Sequence, residues 1–126
     1  MPERSIGSGP GRVLVAVYGL FALSASARAG VQLATQFHQA PLAYLLSALS
    51  AVIYVVATVA LARSYRSVAL VCCSIELLGV LVIGTASLVD PAAFPKATVW
   101  SVYGIGYGFV PLILPILGLL WLRRHP

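Results

Sequence analysis

The sequence predicts an all-α integral membrane protein in which four transmembrane helices form an antiparallel up-down-up-down bundle. Of the 126 residues, 60% are hydrophobic and 9% are charged, whereas a soluble domain carries roughly 25% charged residues. Four apolar runs are each long enough to cross a hydrocarbon core, which takes about 20 helical residues. Most basic residues lie before the first run, between the second and third runs, and after the fourth run, as in multi-pass membrane proteins. These observations exclude a soluble fold and a nucleic-acid-binding domain, despite the net charge of +5.

The first run covers residues 13–34 and follows residues 1–12, which are predicted to form a flexible cytoplasmic tail. A secretory signal is the alternative, because two arginines precede the apolar run and an Ala-Ser-Ala sequence ends at Ala27. Cleavage there would make Arg28 the first residue. The apolar residues that continue beyond Ala27 favour an intact span, with Arg28 inside the membrane.

The second, third and fourth runs cover residues 41–62, 68–89 and 99–122, and the third contains Glu76. An ionisable group at the bilayer centre costs ~2.5–3.5 kcal/mol, which a long apolar run outweighs. Unpaired backbone groups cannot face lipid, so all four runs are predicted to be helical. Because the connections between them are short, consecutive helices are expected to lie antiparallel.

Six of the eight basic residues fall on one side of the predicted bundle: Arg4, Arg12, Arg63, Arg66, Arg123 and Arg124. The positive-inside rule therefore predicts that both termini, including the C-terminal tail of residues 123–126, lie on the cytoplasmic face of the cell membrane. Most of the basic residues are arginine, and alanine and valine are abundant. This composition is typical of a GC-rich bacterial genome, and it indicates a bacterial inner membrane.

The fourth run carries two tryptophans and two prolines. Trp100 and Trp121 are 21 residues apart, which is ~31 Å along a straight helix. This separation matches the distance between the two membrane interfaces, so both are predicted to be interface anchors. Pro111 and Pro115 each remove a backbone hydrogen bond, and they are predicted to kink the inner half of the span.

Small residues recur at fourfold spacing in three of the runs. The first helix carries such a ridge at Ala22, Ser26 and Gly30, the second carries one at Ala43, Ser47 and Ala51, and the fourth has a G-x-x-x-G face at Gly104 and Gly108. Ridges of this kind let helix backbones approach closely in membranes. They predict tight helix packing, either within the bundle or between protomers.

Arg28 and Glu76 are the two ionisable residues inside the predicted spans, and such residues are functional candidates by default. Measured from the cytoplasmic face, their depths differ by ~9 Å at 1.5 Å per residue. The long arginine side chain leaves a direct or water-bridged pair open. The alternative is that Arg28 extends to the outer interface with Gln32, while a protonated Glu76 lies against helix backbone.

Cys72 and Cys73 precede Glu76 by four and three residues, so one helix face presents two sulfurs and a carboxyl group. The histidines lie in an outer loop and at the C-terminus, so the four ligands of a usual metal site are not brought together. No catalytic set or cofactor motif can be assembled from the sequence. It therefore predicts a protein without enzymatic activity, cofactor or metal.

The function predicted from the sequence is that of a small accessory or scaffolding subunit in the lipid bilayer, packing against itself or a larger membrane partner, without a nucleic-acid partner. A small transporter or channel that uses Glu76 and Arg28 is the alternative. A weaker hypothesis is a thiol sensor based on Cys72 and Cys73.

Overall fold

The computed structural model of the chain describes residues 10–93, 98 and 100–124. The predicted flexible tail therefore lies outside the described residues over positions 1–9, and so does the C-terminal tail over positions 125–126. The described part of the chain is helical and contains no strand.

The four α-helices are α1 Pro10–Thr35, α2 Pro41–Ala62, α3 Arg66–Val89 and α4 Val110–Arg124, with short 3-10 helices at Phe37–Gln39, Pro91–Ala93 and Ser101–Tyr107. The bounds of α2 agree with the predicted run, and α1 and α3 begin a few residues earlier than predicted. Pro41 occupies the first turn of α2, where a residue without an N–H is tolerated. Pro91 directly follows Asp90, the C-cap of α3, so the helix cannot continue.

Three of these helices are long and apolar enough to cross a membrane, and the fourth candidate is a bent pair. The axes of Ser101–Tyr107 and Val110–Arg124 differ by 100°, so the described residues hold three candidate spans, or four if the bent pair is one span. The prediction of one continuous helix over residues 99–122 is therefore wrong.

Left-handed backbone causes this break. Val102, Tyr103 and Gly104 have φ values of 48°, 59° and 87°, and Gly108 and Phe109 follow with 61° and 63°. Residues in this conformation cannot continue a right-handed helix, and outside glycine they are uncommon. A new helix starts immediately afterwards at Val110.

The prolines and tryptophans of the fourth run take different places from those expected. The bend lies before Pro111 and Pro115, since Pro111 falls in the first turn of α4 and only Pro115 stands inside the helix. The ~31 Å separation assumed a straight helix, so it no longer supports Trp100 and Trp121 as paired interface anchors. Trp100 is 4% exposed and packs against α3.

Two glycines of α3 make room for the segment around Ser101–Tyr107. A Cβ added at Gly79 would lie 2.7 Å from the ring of Trp100, and one added at Gly84 would overlap the ring of Tyr103. Hydroxyl groups near the end of α3 also fix the segment. The backbone N–H of Val102 donates to Ser87 Oγ at 2.9 Å, so the left-handed turn is held against α3.

The predicted small-residue ridges are only partly inside the bundle. On α1, Ala22 is buried, Ser26 is half-buried and Gly30 is exposed. Gly104 and Gly108 do not form a helix-packing face, because both lie in the non-helical segment. Gly104 instead packs against the ring of Pro111, where an added Cβ would lie 2.7 Å away, while Gly108 faces open space.

Gly79→Ala is expected to lower the free energy of unfolding by about 1–3 kcal/mol, the usual effect of overpacking a core. Gly30→Ala is the matched control, because nothing lies within 4 Å of its added Cβ. The control is expected to stabilise the protein by roughly 0.8–1.0 kcal/mol through helix propensity. Thermal unfolding of the detergent-solubilised variants measures both. If Gly79→Ala and Gly30→Ala changed the free energy of unfolding by the same amount, the close packing of Trp100 on Gly79 would be contradicted.

Candidate functional site

Glu76 lies near the middle of α3, ten residues after Arg66 and thirteen before Val89. Its side chain is 0% exposed. The reason is helical periodicity, since the buried residues of this part of α3 recur at spacings of three and four: Ala69, Cys72, Cys73, Glu76 and Val80. This stripe faces the interior of the bundle and brings the carboxyl group with it.

Tyr18 of α1 is the hydrogen-bond partner of Glu76. The Tyr18 hydroxyl donates to Glu76 Oε1 at 2.6 Å. The hydroxyl oxygen of Tyr18 also lies 3.4 Å from Cys73 Sγ, and it can accept a hydrogen bond from the S–H group. Gly118 of α4 completes the contact, because a Cβ there would lie 2.7 Å from Cys73 Sγ and 3.4 Å from the Tyr18 hydroxyl. Three helices therefore meet at this carboxyl group.

The second carboxyl oxygen of Glu76 is different. Glu76 Oε2 is buried and has no hydrogen-bond partner among the residues that the structure describes. Buried polar atoms are nearly always paired, and an unpaired one in a protein core requires an explanation. A bound cation or a water molecule would satisfy it, whereas a proton would remove its negative charge.

A second polar link joins α2, α4 and the bent segment. Trp100 Nε1 donates to the Tyr54 hydroxyl at 3.1 Å, and that hydroxyl donates to the carbonyl oxygen of Pro111 at 3.4 Å. This carbonyl would normally accept the N–H of residue 115, but Pro115 has none. Tyr54 thus partly compensates the hydrogen bond that the proline removes from α4.

Arg28 does not reach Glu76. Its side chain is exposed, and its guanidinium carbon lies 5.5 Å from the centre of the Tyr107 ring, within the range of a cation–π contact. Within the described part of the chain, no ion pair at 4.0 Å or less joins the two residues. The pair that the sequence left open is therefore not formed.

A row of aromatic rings separates Arg28 from Glu76. It runs from Tyr107 to Phe21, then to Tyr54 and Tyr18, with centroid separations of 5.1 Å, 4.8 Å and 6.2 Å. The first two pairs are edge-to-face, which is a favourable geometry for aromatic rings. The depression beside Arg28, which Tyr107 also lines, has no room for a water molecule.

The cysteines lie beside this site rather than forming one of their own. Cys72 and Cys73 are 7% and 0% exposed, and neither forms a disulfide. Redox-sensing cysteines are usually accessible, so this burial gives the thiol-sensor hypothesis no support. Among the described residues, no group of three or more His, Cys, Asp or Glu side chains is placed to hold a metal ion.

Glu76 and Arg28 were predicted from the sequence as candidate residues, whereas Tyr18, Phe21 and Tyr107 were not. A signal for Tyr18 exists, because it shares the helical spacing of the buried alanines at positions 22, 25 and 29. Its partner could not be identified from this spacing, since Tyr18 and Glu76 are 58 residues apart.

Comparison of the chain with protein-family models, with curated proteins and with solved structures finds no match.

Tyr18→Phe is expected to lower the free energy of unfolding by about 1–3 kcal/mol, because it leaves a buried carboxyl oxygen without its donor. Tyr65→Phe is the matched control, since Tyr65 is 53% exposed. Its effect should stay within about 0.5 kcal/mol, as for most surface substitutions. Thermal unfolding in detergent compares the two. If Tyr18→Phe is as stable as the control, the Tyr18–Glu76 hydrogen bond does not hold the bundle together.

Proposed function

We propose that the protein is a multi-pass protein of the cell membrane with both termini on the cytoplasmic side. The apolar helices support this proposal, and so does the distribution of charge. Arg66 donates to the carbonyl oxygen of Leu122 at 3.2 Å, so the start of α3 lies beside the end of α4. Val13 of α1 and Arg124 of α4 line one groove, so the start of α1 lies at the same end. Basic residues thus gather at one end, which the positive-inside rule assigns to the cytoplasm.

Within this membrane protein, we propose proton-linked transport with Glu76 as the proton-binding group. The observation that carries the proposal is Glu76 Oε2, which is buried at the middle of α3 without a partner among the described residues. Ionisable residues at this depth are costly and typically mark proton relays or ion pathways in membrane proteins. From the sequence alone an accessory subunit was favoured, because no chemistry could be assembled and small-residue contact faces are plentiful.

In the proposed cycle, Oε2 binds a proton that enters from one side of the membrane and releases it to the other side. The carboxylate that remains attracts the next proton or a cationic solute. Tyr18 can donate to Oε1 in either state, and it therefore keeps the carboxyl group oriented throughout. The hydroxyl does not need to exchange its own proton.

The proposed cycle needs a barrier to free proton flow and a point at which the helices can move, and two features of the structure suit these roles. Phe21 and Tyr107 pack edge-to-face between Arg28 and the rest of the row, and we propose this pair as the barrier on that side. The break at Gly108 and Phe109 separates α4 from the segment that begins at Trp100, whose Nε1 donates to Tyr54 of α2. Discontinuous helices of this kind form the binding sites of many transporters.

Glu76→Gln is expected to abolish proton-linked flux in proteoliposomes, because the amide fills the same space but cannot carry a proton across. A pH-sensitive dye inside the vesicles records the flux under imposed pH and potential gradients, with sodium, potassium and quaternary ammonium ions as solutes. Asp90→Asn is the matched control, since Asp90 is an exposed carboxyl group at the end of α3. It should retain the wild-type rate.

Absence of flux for the wild type under all of these gradients and solutes would remove the basis of the transport proposal. Equal flux in Glu76→Gln and the wild type would do the same for the assigned role of Glu76. Thermal unfolding of both variants confirms that the comparison is made between folded proteins.

The second candidate remains an accessory subunit, favoured by a groove between α1 and α2. This groove has a volume of about 350 Å³, and its lining is small or aliphatic: Ser26, Ala29, Gly30, Leu33, Ala48, Ala51, Val52, Val55 and Val56. Nothing lies within 4 Å of a Cβ added at Gly30, so another helix has room to approach closely.

Gly30→Leu is expected to reduce the oligomeric fraction seen by native mass spectrometry in mild detergent, because the added side chain fills this groove. Val31→Leu is the matched control, as Val31 is 60% exposed and lies outside the groove lining. A wild type that is strictly monomeric and retains no partner would contradict the subunit role, as would equal effects of the two substitutions.

A further inference from the structure

A second groove lies between α1 and α4, near the end of the bundle where the basic residues gather. Its volume is about 350 Å³, and its lining is apolar apart from one residue: Val13, Leu14, Val17, Leu114, Leu117, Leu120, Trp121 and Arg124. Several of these apolar side chains are exposed, with Val13 at 64% and Leu117 at 47%. In a hydrocarbon environment such a groove is filled by apolar chains.

The groove lies beside the point where Gly118 of α4 approaches Tyr18 of α1, because the two helices contact each other little elsewhere. Each packs mainly on other elements, α1 on α2 and α4 on α3. Leu114 and Arg124 are ten residues apart, so the groove follows α4 for ~15 Å at 1.5 Å per residue. Its long, narrow course along the helix suits one extended apolar chain.

The charge at one end of the groove indicates what the chain is attached to. Arg124 belongs to the lining, and Arg12 and Arg123 are direct sequence neighbours of lining residues. The acidic residues that the structure describes, Glu76 and Asp90, lie elsewhere on α3 and at its far end. No described acidic residue therefore offsets this positive charge.

We propose that this groove binds an anionic phospholipid, with one acyl chain between α1 and α4 and the phosphate group held by Arg124. Basic sites between membrane helices bind anionic headgroups in this way, and an arginine–phosphate hydrogen bond is charge-assisted. Trp121 lies beside Arg124 in the lining, and tryptophan is enriched at membrane interfaces, where phosphate groups lie. The proposal is independent of transport at Glu76.

The fluorescence of Trp121 can be used to measure lipid binding in this groove. The protein is reconstituted into phosphatidylcholine vesicles that contain increasing fractions of brominated phosphatidylglycerol or, in parallel, of brominated phosphatidylcholine. Bromine quenches tryptophan fluorescence on contact, and the signal of a Trp121→Phe variant is subtracted to remove the contribution of Trp100, which is 4% exposed. We expect brominated phosphatidylglycerol to quench Trp121 at a mole fraction at least threefold lower than brominated phosphatidylcholine.

Arg124→Gln is expected to bring this ratio close to one. Arg63→Gln is the matched control, because Arg63 is an exposed arginine at the same end of the bundle but lies outside the groove. Val17→Phe, at a position that is 40% exposed, fills the groove without entering the core and should weaken quenching by either lipid.

Equal quenching by the two lipids in the wild type would overturn the proposal, because the groove would then hold ordinary bilayer lipid. If Arg63→Gln and Arg124→Gln reduced the preference for phosphatidylglycerol equally, the preference would come from general surface charge, and the proposal would also be overturned. Protection of Trp121 from both lipids would overturn the proposal as well, because no acyl chain would then lie against Trp121 in the groove.

Discussion

The hydrogen bond between Tyr18 and Glu76 is the interaction around which the described structure is arranged. It joins α1 to α3 in the core, and Gly118 lets α4 approach the same point. A carboxyl group without this donor would leave both of its oxygens unpaired in an apolar interior, which is costly. One oxygen of the Glu76 carboxyl group is therefore held by a hydrogen bond, while Oε2 has no partner among the described residues.

The break in the fourth run is held by contacts with α2 and α3. Left-handed backbone at Val102 and Tyr103 is unfavourable for residues with a Cβ, so it persists only where contacts over-determine it. Ser87 accepts the N–H of Val102, and the glycines of α3 accommodate the rings of the segment. Tyr54 links the segment to the Pro111 carbonyl, so one hydroxyl couples the break to the bundle.

Much of the helical architecture was predictable, since it depends on local properties of the chain. The bounds of α2 followed from an uninterrupted apolar run that starts at Pro41, and Pro91 marked the end of α3. Glu76 was identifiable as a candidate because it is the single acidic residue in these runs. Arg28 was identifiable because it is the single basic residue in these runs. The row of aromatic rings between Arg28 and Glu76 was not identifiable. Ring contacts between Phe21 and Tyr107 depend on helix rotation, which periodicity leaves undetermined.

By itself, the sequence determined that the chain forms several apolar helices, where most of them begin and end, and that two ionisable residues lie within the predicted spans. These properties follow from composition and from proline positions, which act over a few residues. The tertiary structure alone decided that the fourth run is broken, that Tyr18 rather than Arg28 is the partner of Glu76, and that α1 and α4 leave a groove between them. Each of these depends on contacts between residues far apart in the chain, because side-chain shape and hydrogen bonding across helices decide how the helices are rotated and spaced.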